Sequence, residues 1–251
     1  MKTLSEVVKL EKVTFGYDEI TLLKDVDLNI HKGQFWGIVG PNGSAKSTLL
    51  KLMLGLLKPH SGSCSLLGTP VKQFRQWDRI GYIPQNVREF NMGFPATVQE
   101  MVSANLISQM GTFKWMTSKY RKKVRESLQI VGMQDYATRR IGQLSGGQQQ
   151  RVFIARTLVN SPKVIFMDEP LVGVDVESQE KFYDLMEKLN QQMGITLVMV
   201  SHDIGVVSER TSHIACMGKE KLFVHDAKTF KPEEYLESVY GEKTRLVHHA
   251  H

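Results

Sequence analysis

Short apolar runs, separated by polar and glycine-rich segments, divide the chain into predicted strands and predicted helices. Val7 to Tyr17 and Leu22 to Ile30 alternate loosely between apolar and polar positions, and Phe35 to Val39 is continuously apolar. Both patterns are typical of strands. Thr48 to Leu57 is rich in leucine and stops just before Pro59, which predicts a helix ended by that proline.

The second half of the chain contains both predicted helices and predicted strands. Helix formers dominate three segments: Lys119 to Met133, Gln148 to Val159 and Glu177 to Met193. Short buried strands are predicted at Val164 to Met167, Ile195 to Val200 and His213 to Met217. Strands that alternate with helices predict an α/β core around a parallel sheet. The middle of the chain, about 87–160, is predicted to be a helical lobe inserted in that core.

The composition narrows the class of protein. The chain has 251 residues, of which 41% are hydrophobic and 23% charged, a balance typical of soluble globular proteins. Its apolar runs are a fraction of the roughly 20 residues that a membrane-spanning helix needs. Met1 to Glu6 contains no apolar stretch that could act as a signal peptide, and Cys64 and Cys216 lie far apart. We therefore expect a reducing, cytoplasmic compartment, with neither a disulfide framework nor a zinc site.

The net charge of +6 is spread along the chain, with a denser basic stretch at Lys114 to Arg125. A solvated surface is the simpler interpretation of that stretch, and a nucleic-acid patch is the alternative. We predict no nucleic-acid partner.

A glycine-rich turn follows the third predicted strand directly. It runs Gly40, Pro41, Asn42, Gly43, Ser44, Ala45, Lys46, Ser47, Thr48, and it nearly matches the phosphate-binding P-loop. In that loop, backbone N–H groups wrap the nucleotide phosphates at a helix N-terminus, the lysine reaches the β and γ phosphates, and the serine hydroxyl binds magnesium. Ala45 stands where the motif has glycine. We expect Ala45 to have an ordinary helical φ, so that Ala45→Gly keeps or modestly raises ATP affinity.

Two carboxylates end the predicted strand Val164 to Met167. A buried strand of a parallel sheet delivers Asp168 to the carboxyl edge, where such sheets bind their ligands. Asp168 is suited to magnesium, and Glu169 is placed to polarise an attacking water. An ordinary strand end followed by an acidic turn is the alternative.

A second anion site is predicted at Ser145, Gly146, Gly147 and Gln148. An N-cap serine and two glycines there precede a helix-prone segment, so exposed N–H groups meet the positive end of a helix. A chain with two anion sites and one nucleotide would use the second site on a partner's nucleotide. The order of these motifs, from Val7 to about Val224, resembles the ATP-binding subunit of an ABC (ATP-binding cassette) transporter.

The resemblance implies a fold and further site residues. The fold is a P-loop NTPase (RecA-like) core with a parallel sheet, an N-terminal antiparallel β subdomain and an inserted helical subdomain. By resemblance, residues 1–225 form the ATP-binding domain and 226–251 a peripheral tail. Tyr17 would stack on adenine, Gln85 would touch magnesium and water, Asp175 would cross a dimer interface, and His202 would contact the γ phosphate. Leu171 and the run Val172 to Asp175 depart from the commonest pattern before that aspartate.

The resemblance also implies partners and a mechanism. Two copies, or a copy and a paralogue, would clamp two Mg-ATP molecules head to tail on the cytoplasmic face of the membrane. Lys46, His202 and magnesium would stabilise the transferred phosphoryl group, while Glu169 orients water. A separate permease would be driven by this cycle, together with an extracytoplasmic solute-binding protein.

The transported solute is predicted from one further segment. Phe94 to Val102 resembles the corresponding run in bacterial zinc and manganese importer ATPases, although iron-chelate and cobalamin importers carry similar runs. A soluble ABC ATPase without a permease is a further alternative, as is an exporter. The histidines of His248 to His251 suggest zinc binding, but a solvated terminus is the simpler interpretation.

Overall fold

A computed structural model describes residues 5–85, 95–110, 116–218, 221–232 and 235 of the protein. The chain divides into two compact units, the first made of Met1–Phe74 with Val198–His251 and the second of Arg75–Leu197. The predicted segments 90–94, 114 and 248–251 lie outside the described residues. Within the described part, no helix is both long and apolar enough to cross a membrane.

Strands dominate the described part of the first unit, and helices dominate that of the second. The first unit begins with β1 (Glu6–Tyr17), β2 (Ile20–His31), β3 (Phe35–Val39), α1 (Lys46–Met53), β4 (Ser61–Leu66) and β5 (Thr69–Pro70). The second unit contains β6 (Ile80–Ile83), α2 (Val98–Ser103), α3 (Ser118–Ile130), α4 (Gly146–Leu158), β7 (Val164–Asp168) and α5 (Val176–Gln191). The chain returns to the first unit through β8 (Thr196–Val200) and continues with α6 (Ile204–Arg210), β9 (His213–Gly218) and β10 (Lys221–Asp226).

An antiparallel sheet of four strands forms the N-terminal part of the first unit, with the order β2-β1-β4-β5. Leu10 pairs with Leu28 and Val13 with Val26, and all four side chains are buried. The predicted antiparallel β subdomain is therefore confirmed. Its strands β4 and β5 are not predicted from the sequence, because the β4 segment SGSCSL lacks β-branched and aromatic residues and β5 has only two residues.

Parallel pairing appears in each unit. In the first unit β3 pairs parallel with β9, and β10 adds to β9 in the antiparallel direction. In the second unit β6 pairs parallel with β7, with Gly81 opposite Ile165. A Cβ at Gly81 would lie 2.4 Å from Thr157 Cγ2, so the glycine lets α4 pack closely on β6. The predicted α/β fold with parallel strands is confirmed.

One predicted helix end is wrong. The helix expected to run to Leu57 ends at Met53, because Gly55 adopts a left-handed φ of 67° and Leu56 N donates back to Lys51 O at 2.9 Å. A glycine therefore ends α1, before Pro59 is reached. The helices predicted at Lys119, Gln148 and Glu177 are confirmed, with starts moved by one or two residues. The domain boundaries at residues 87, 160 and 225 stay predictions.

Candidate functional site

The turn after β3 is built for close backbone approach. All five residues of β3 are buried, and Gly40 follows them. A Cβ at Gly40 would lie 2.7 Å from Ser44 Oγ and 2.8 Å from Met217 Cβ, distances that a side chain cannot occupy. Gly43 has a φ of 80° with open space around it, so the turn depends on glycine at both positions.

Ala45 is the N-cap of α1 and has φ 67° and ψ 22°, in the left-handed region. The expectation of an ordinary helical φ at this position is therefore wrong. The backbone has the conformation that the motif's usual glycine adopts freely, and the alanine methyl adds about 1–2 kcal/mol of strain there. The loop keeps its geometry because the surrounding structure imposes it.

The polar groups of this loop point inward. Lys46 is 5% exposed, and its Nζ donates to Gly40 O at 2.8 Å and Pro41 O at 2.9 Å. Ser44 Oγ is buried and has no hydrogen-bond partner among the described residues. The first turn of α1 contains no acidic residue and receives no side-chain cap. A buried cation, an unsatisfied hydroxyl and an uncapped helix N-terminus together fit an anionic ligand such as phosphate.

The other predicted nucleotide contacts of the first unit lie at strand ends. Ser201 N donates to Ile38 O at 3.0 Å, which ties Ser201 to β3, the strand that leads into the P-loop. His202 is the next residue after Ser201. His202 is exposed. Tyr17 ends β1 and is 50% exposed, with its ring edge-on to Phe15 at 5.1 Å between centroids. An exposed aromatic face is available for stacking.

In the second unit, β7 delivers two carboxylates as predicted. Asp168 is 5% exposed at the end of the fully buried β7. Burial and then the charge of Asp168 raise the pKa of Tyr82 on the neighbouring strand β6. Glu169 has a φ of 44°, uncommon for a residue with a side chain, and Gln85 Nε2 donates to its Oε2 at 3.2 Å. The structure thus brings Gln85 and Glu169 together.

The helix α4 begins with a complete capping box. Gln148 N donates to Ser145 Oγ at 3.3 Å, and Ser145 N donates to Gln148 Oε1 at 3.0 Å. Both side chains are engaged in the cap, while Gly146 and Gly147 add no side chain at the helix N-terminus. A small cavity of about 160 Å³ lies beside this N-terminus, lined in part by Ser145, Gly147 and Ser178.

Asp175 caps the next helix of the same unit. Its carboxylate accepts a hydrogen bond from Ser178 N at 2.9 Å, and this bond, with a further one from the Ser178 hydroxyl, holds the pKa of Asp175 below its usual value. A Cβ at Gly147 would lie 2.7 Å from Ser178 Oγ. The start of α5 and the start of α4 are therefore in contact.

Three buried or half-buried amides are not predicted from the sequence. Gln150 donates to Pro170 O at 2.7 Å, and Gln179 donates to Val174 O at 2.8 Å. Gln149 donates to Leu144 O at 3.1 Å and to Ile141 O at 3.3 Å. Glutamines at 149 and 150, on an otherwise apolar helix face, are a signal that could have revealed two of these amides as buried.

Comparison with known proteins decides the family. A family model described as ABC transporter matches residues 23–172, more than half of the chain. The chain belongs to the ABC transporter family. The ABC transporter match contains the P-loop, the Ser145–Gln148 turn and the carboxylates Asp168 and Glu169, and as a member of that family this chain is an ABC ATPase.

Relatives of this ABC ATPase cover almost its whole length. The zinc uptake system ATP-binding protein ZurA of Listeria monocytogenes is 40% identical, over 96% of this chain and 95% of that protein. The manganese transport system ATP-binding protein MntB of Halalkalibacterium halodurans is 35% identical, over 95% and 94%. The dimeric structure of MJ0796, a bacterial ABC transporter cassette, is similar with a TM-score of 0.72 at 34% identity, covering 89% of this chain and 100% of that one.

Proposed function

We propose that this ABC ATPase powers the import of a divalent metal ion, zinc or manganese, across the cytoplasmic membrane. ATP hydrolysis is supported by two segments suited to binding anions. They are the P-loop in the first unit and the glycine-rich N-terminus of α4 in the second. The solute is supported by relatives named for zinc uptake and for manganese transport at 35–40% identity.

ATP is held first by the P-loop. The backbone N–H groups of Asn42 to Thr48 surround the phosphates, and the unsatisfied Ser44 hydroxyl gains a partner there. Lys46 exchanges its bonds to two carbonyl groups for bonds to phosphate oxygens, which are charged and therefore stronger acceptors. Tyr17 stacks on the adenine ring through its exposed face.

Magnesium fits the donor set that the motifs supply. A serine hydroxyl (Ser47), a side-chain amide oxygen (Gln85) and a buried carboxylate (Asp168) are hard oxygen ligands, which Mg²⁺ prefers. The ion would neutralise developing charge on the phosphates. We assign Ser47, Gln85 and Asp168 to it.

Water attack is assigned to Glu169. The Glu169 carboxylate accepts a hydrogen bond from Gln85, and this bond orients the carboxylate. The carboxylate in turn orients and deprotonates the attacking water. His202 donates to the γ phosphate, and Lys46 stabilises charge on the transferred group. These roles are proposals for the named residues.

ABC ATPases of importers work as dimers with a permease, and MJ0796 is dimeric. We propose that each ATP lies between the P-loop of one copy and Ser145 to Gln148 of the other, with Asp175 near the interface. ATP binds the closed dimer better than the open one, so hydrolysis shifts the population back to the open form. A separate permease on the cytoplasmic side follows this change, and an extracytoplasmic solute-binding protein delivers the ion.

The test is transport by the complete complex. The tagged chain is purified with the membrane protein that accompanies it, reconstituted into liposomes, and supplied with MgATP and its solute-binding protein. We expect zinc or manganese to raise ATP turnover and to accumulate on the side opposite to its addition. A complex carrying Glu169→Gln serves as the control and should accumulate neither ion. Turnover that ignores both ions but follows an iron chelate or cobalamin would refute the metal assignment.

A further inference from the structure

The buried amide of Gln150 joins two parts of the site that serve different nucleotides. Gln150 lies on α4, less than two turns after Ser145, and is 4% exposed. Its Nε2 donates to the carbonyl oxygen of Pro170 at 2.7 Å. Pro170 is the residue directly after Glu169, so the bond ends one peptide from the proposed base.

The backbone at Glu169 and Pro170 is held in place by contacts with other residues. Glu169 has a left-handed φ of 44°, a conformation that is unfavourable for a residue with a Cβ and persists only where neighbouring contacts impose it. Pro170 supplies no N–H of its own, so its carbonyl oxygen is the group through which the chain can be held there. Gln150 makes that bond from a buried side chain, and the bond itself is partly buried, which strengthens it relative to a bond in water.

The rest of the loop is held to the helices in the same way. Gln179 donates to Val174 O at 2.8 Å, and Val174 N closes a turn on Leu171 O at 3.1 Å. At the other end, Gly147 approaches Ser178 so closely that a Cβ would lie 2.7 Å from its Oγ. Residues 169–175 are therefore joined to α4 through Gln150 and to α5 through Gln179.

We propose that Gln150 is a positioning residue that couples the two ATP sites of the dimer. This inference rests on the proposed function, in which Ser145 to Gln148 contact the ATP of the partner copy while Glu169 acts on the ATP of its own copy. When the partner's ATP draws the N-terminus of α4 into place, Gln150 carries the movement to Pro170 and sets the Glu169 carboxylate. Hydrolysis at each site then depends on ATP at the other.

The experiment uses the full chain and the isosteric change Gln150→Met, which keeps the volume but removes the N–H donor. We expect ATP affinity of the isolated chain to stay within about twofold of the wild type, because the P-loop is intact. Turnover at saturating ATP should fall about tenfold, and the Hill coefficient for ATP should fall towards one. Gln149→Met is the matched control, since it removes a neighbouring buried amide whose bonds run to Ile141 and Leu144.

The outcomes separate this inference from the proposed function. A wild-type chain without ATP turnover refutes the proposed function itself. The inference is overturned if the wild type hydrolyses ATP but Gln150→Met and Gln149→Met have the same Hill coefficient and the same kcat. The Gln150 amide would then be merely structural. Restoration of cooperativity by Gln150→His, which keeps a donor at this position, but not by Gln150→Glu, which cannot donate when ionised, supports it.

Discussion

Gln85 donates a hydrogen bond from Nε2 to Oε2 of Glu169, and the two atoms lie 3.2 Å apart. The amide follows β6 and the carboxylate follows β7, which pair in parallel, so both side chains leave neighbouring strands at the same end. The side chain that we assign to bind magnesium thus also donates a hydrogen bond to the proposed base.

Removal of this amide tests its orienting role. We expect Gln85→Ala to lower ATP turnover by roughly tenfold while ATP affinity changes less than threefold, because the phosphate contacts that we propose lie in the P-loop. Steady-state kinetics with a separate binding titration would show this split. An unchanged kcat would mean that the Gln85–Glu169 bond has no part in hydrolysis.

Ala45→Gly tests the left-handed backbone of the P-loop. Glycine removes the strain at φ 67°, so we expect the free energy of unfolding to rise by up to about 1 kcal/mol and ATP affinity to stay equal or increase. Thermal unfolding, with a shift of roughly 2–4 °C, is the measurement. Ala104→Gly, at φ −56°, is the matched control and should destabilise the protein. A lower melting temperature for Ala45→Gly would contradict the geometry.

The left-handed φ of Ala45 could not be predicted from the sequence. A positive φ is uncommon for alanine, so the residue type at position 45 does not predict the observed angle of 67°. The P-loop, Asp168, Glu169 and the Ser145 cap could be located because each follows a continuous apolar strand or precedes a periodic helix. The hydrogen-bond partners of Gln150 and Gln179 could not be predicted, since they are carbonyl groups 20 and 5 residues away whose position depends on packing.

A side chain at position 147 is expected to lower ATP turnover, because its Cβ would meet the Ser178 hydroxyl. Gly147→Ala places a Cβ 2.7 Å from Ser178 Oγ and should reduce turnover about tenfold or more. The double change with Ser178→Ala leaves only the Cβ of residue 178, at 3.1 Å, and should recover part of the activity. Gly205→Ala, whose nearest added contact is 3.7 Å, is the control and should stay fully active. Full activity of Gly147→Ala alone would refute the contact.

The two cysteines predict alkaline sensitivity. Burial raises the pKa of the Cys64 thiol to about 11 and that of Cys216 to about 12, above the ordinary value of 9.0. The folded state holds the thiol protons more tightly than the unfolded state does. The contribution of the protonated thiols to the free energy of unfolding is therefore complete below pH 9 and is lost as the pH rises from 9 towards 12. Denaturant unfolding should show a shallower loss over that range for Cys216→Ala than for the wild type. Equal slopes would show that the Cys216 thiol is not protected.

The most direct test of the central claim is ATP hydrolysis by the purified chain and by Glu169→Gln, measured beside ATP binding. The account predicts that the wild type hydrolyses ATP, that Glu169→Gln loses at least about 100-fold of the turnover, and that both bind ATP with similar affinity. An active Glu169→Gln, or a wild type that binds ATP without hydrolysing it, would contradict the account.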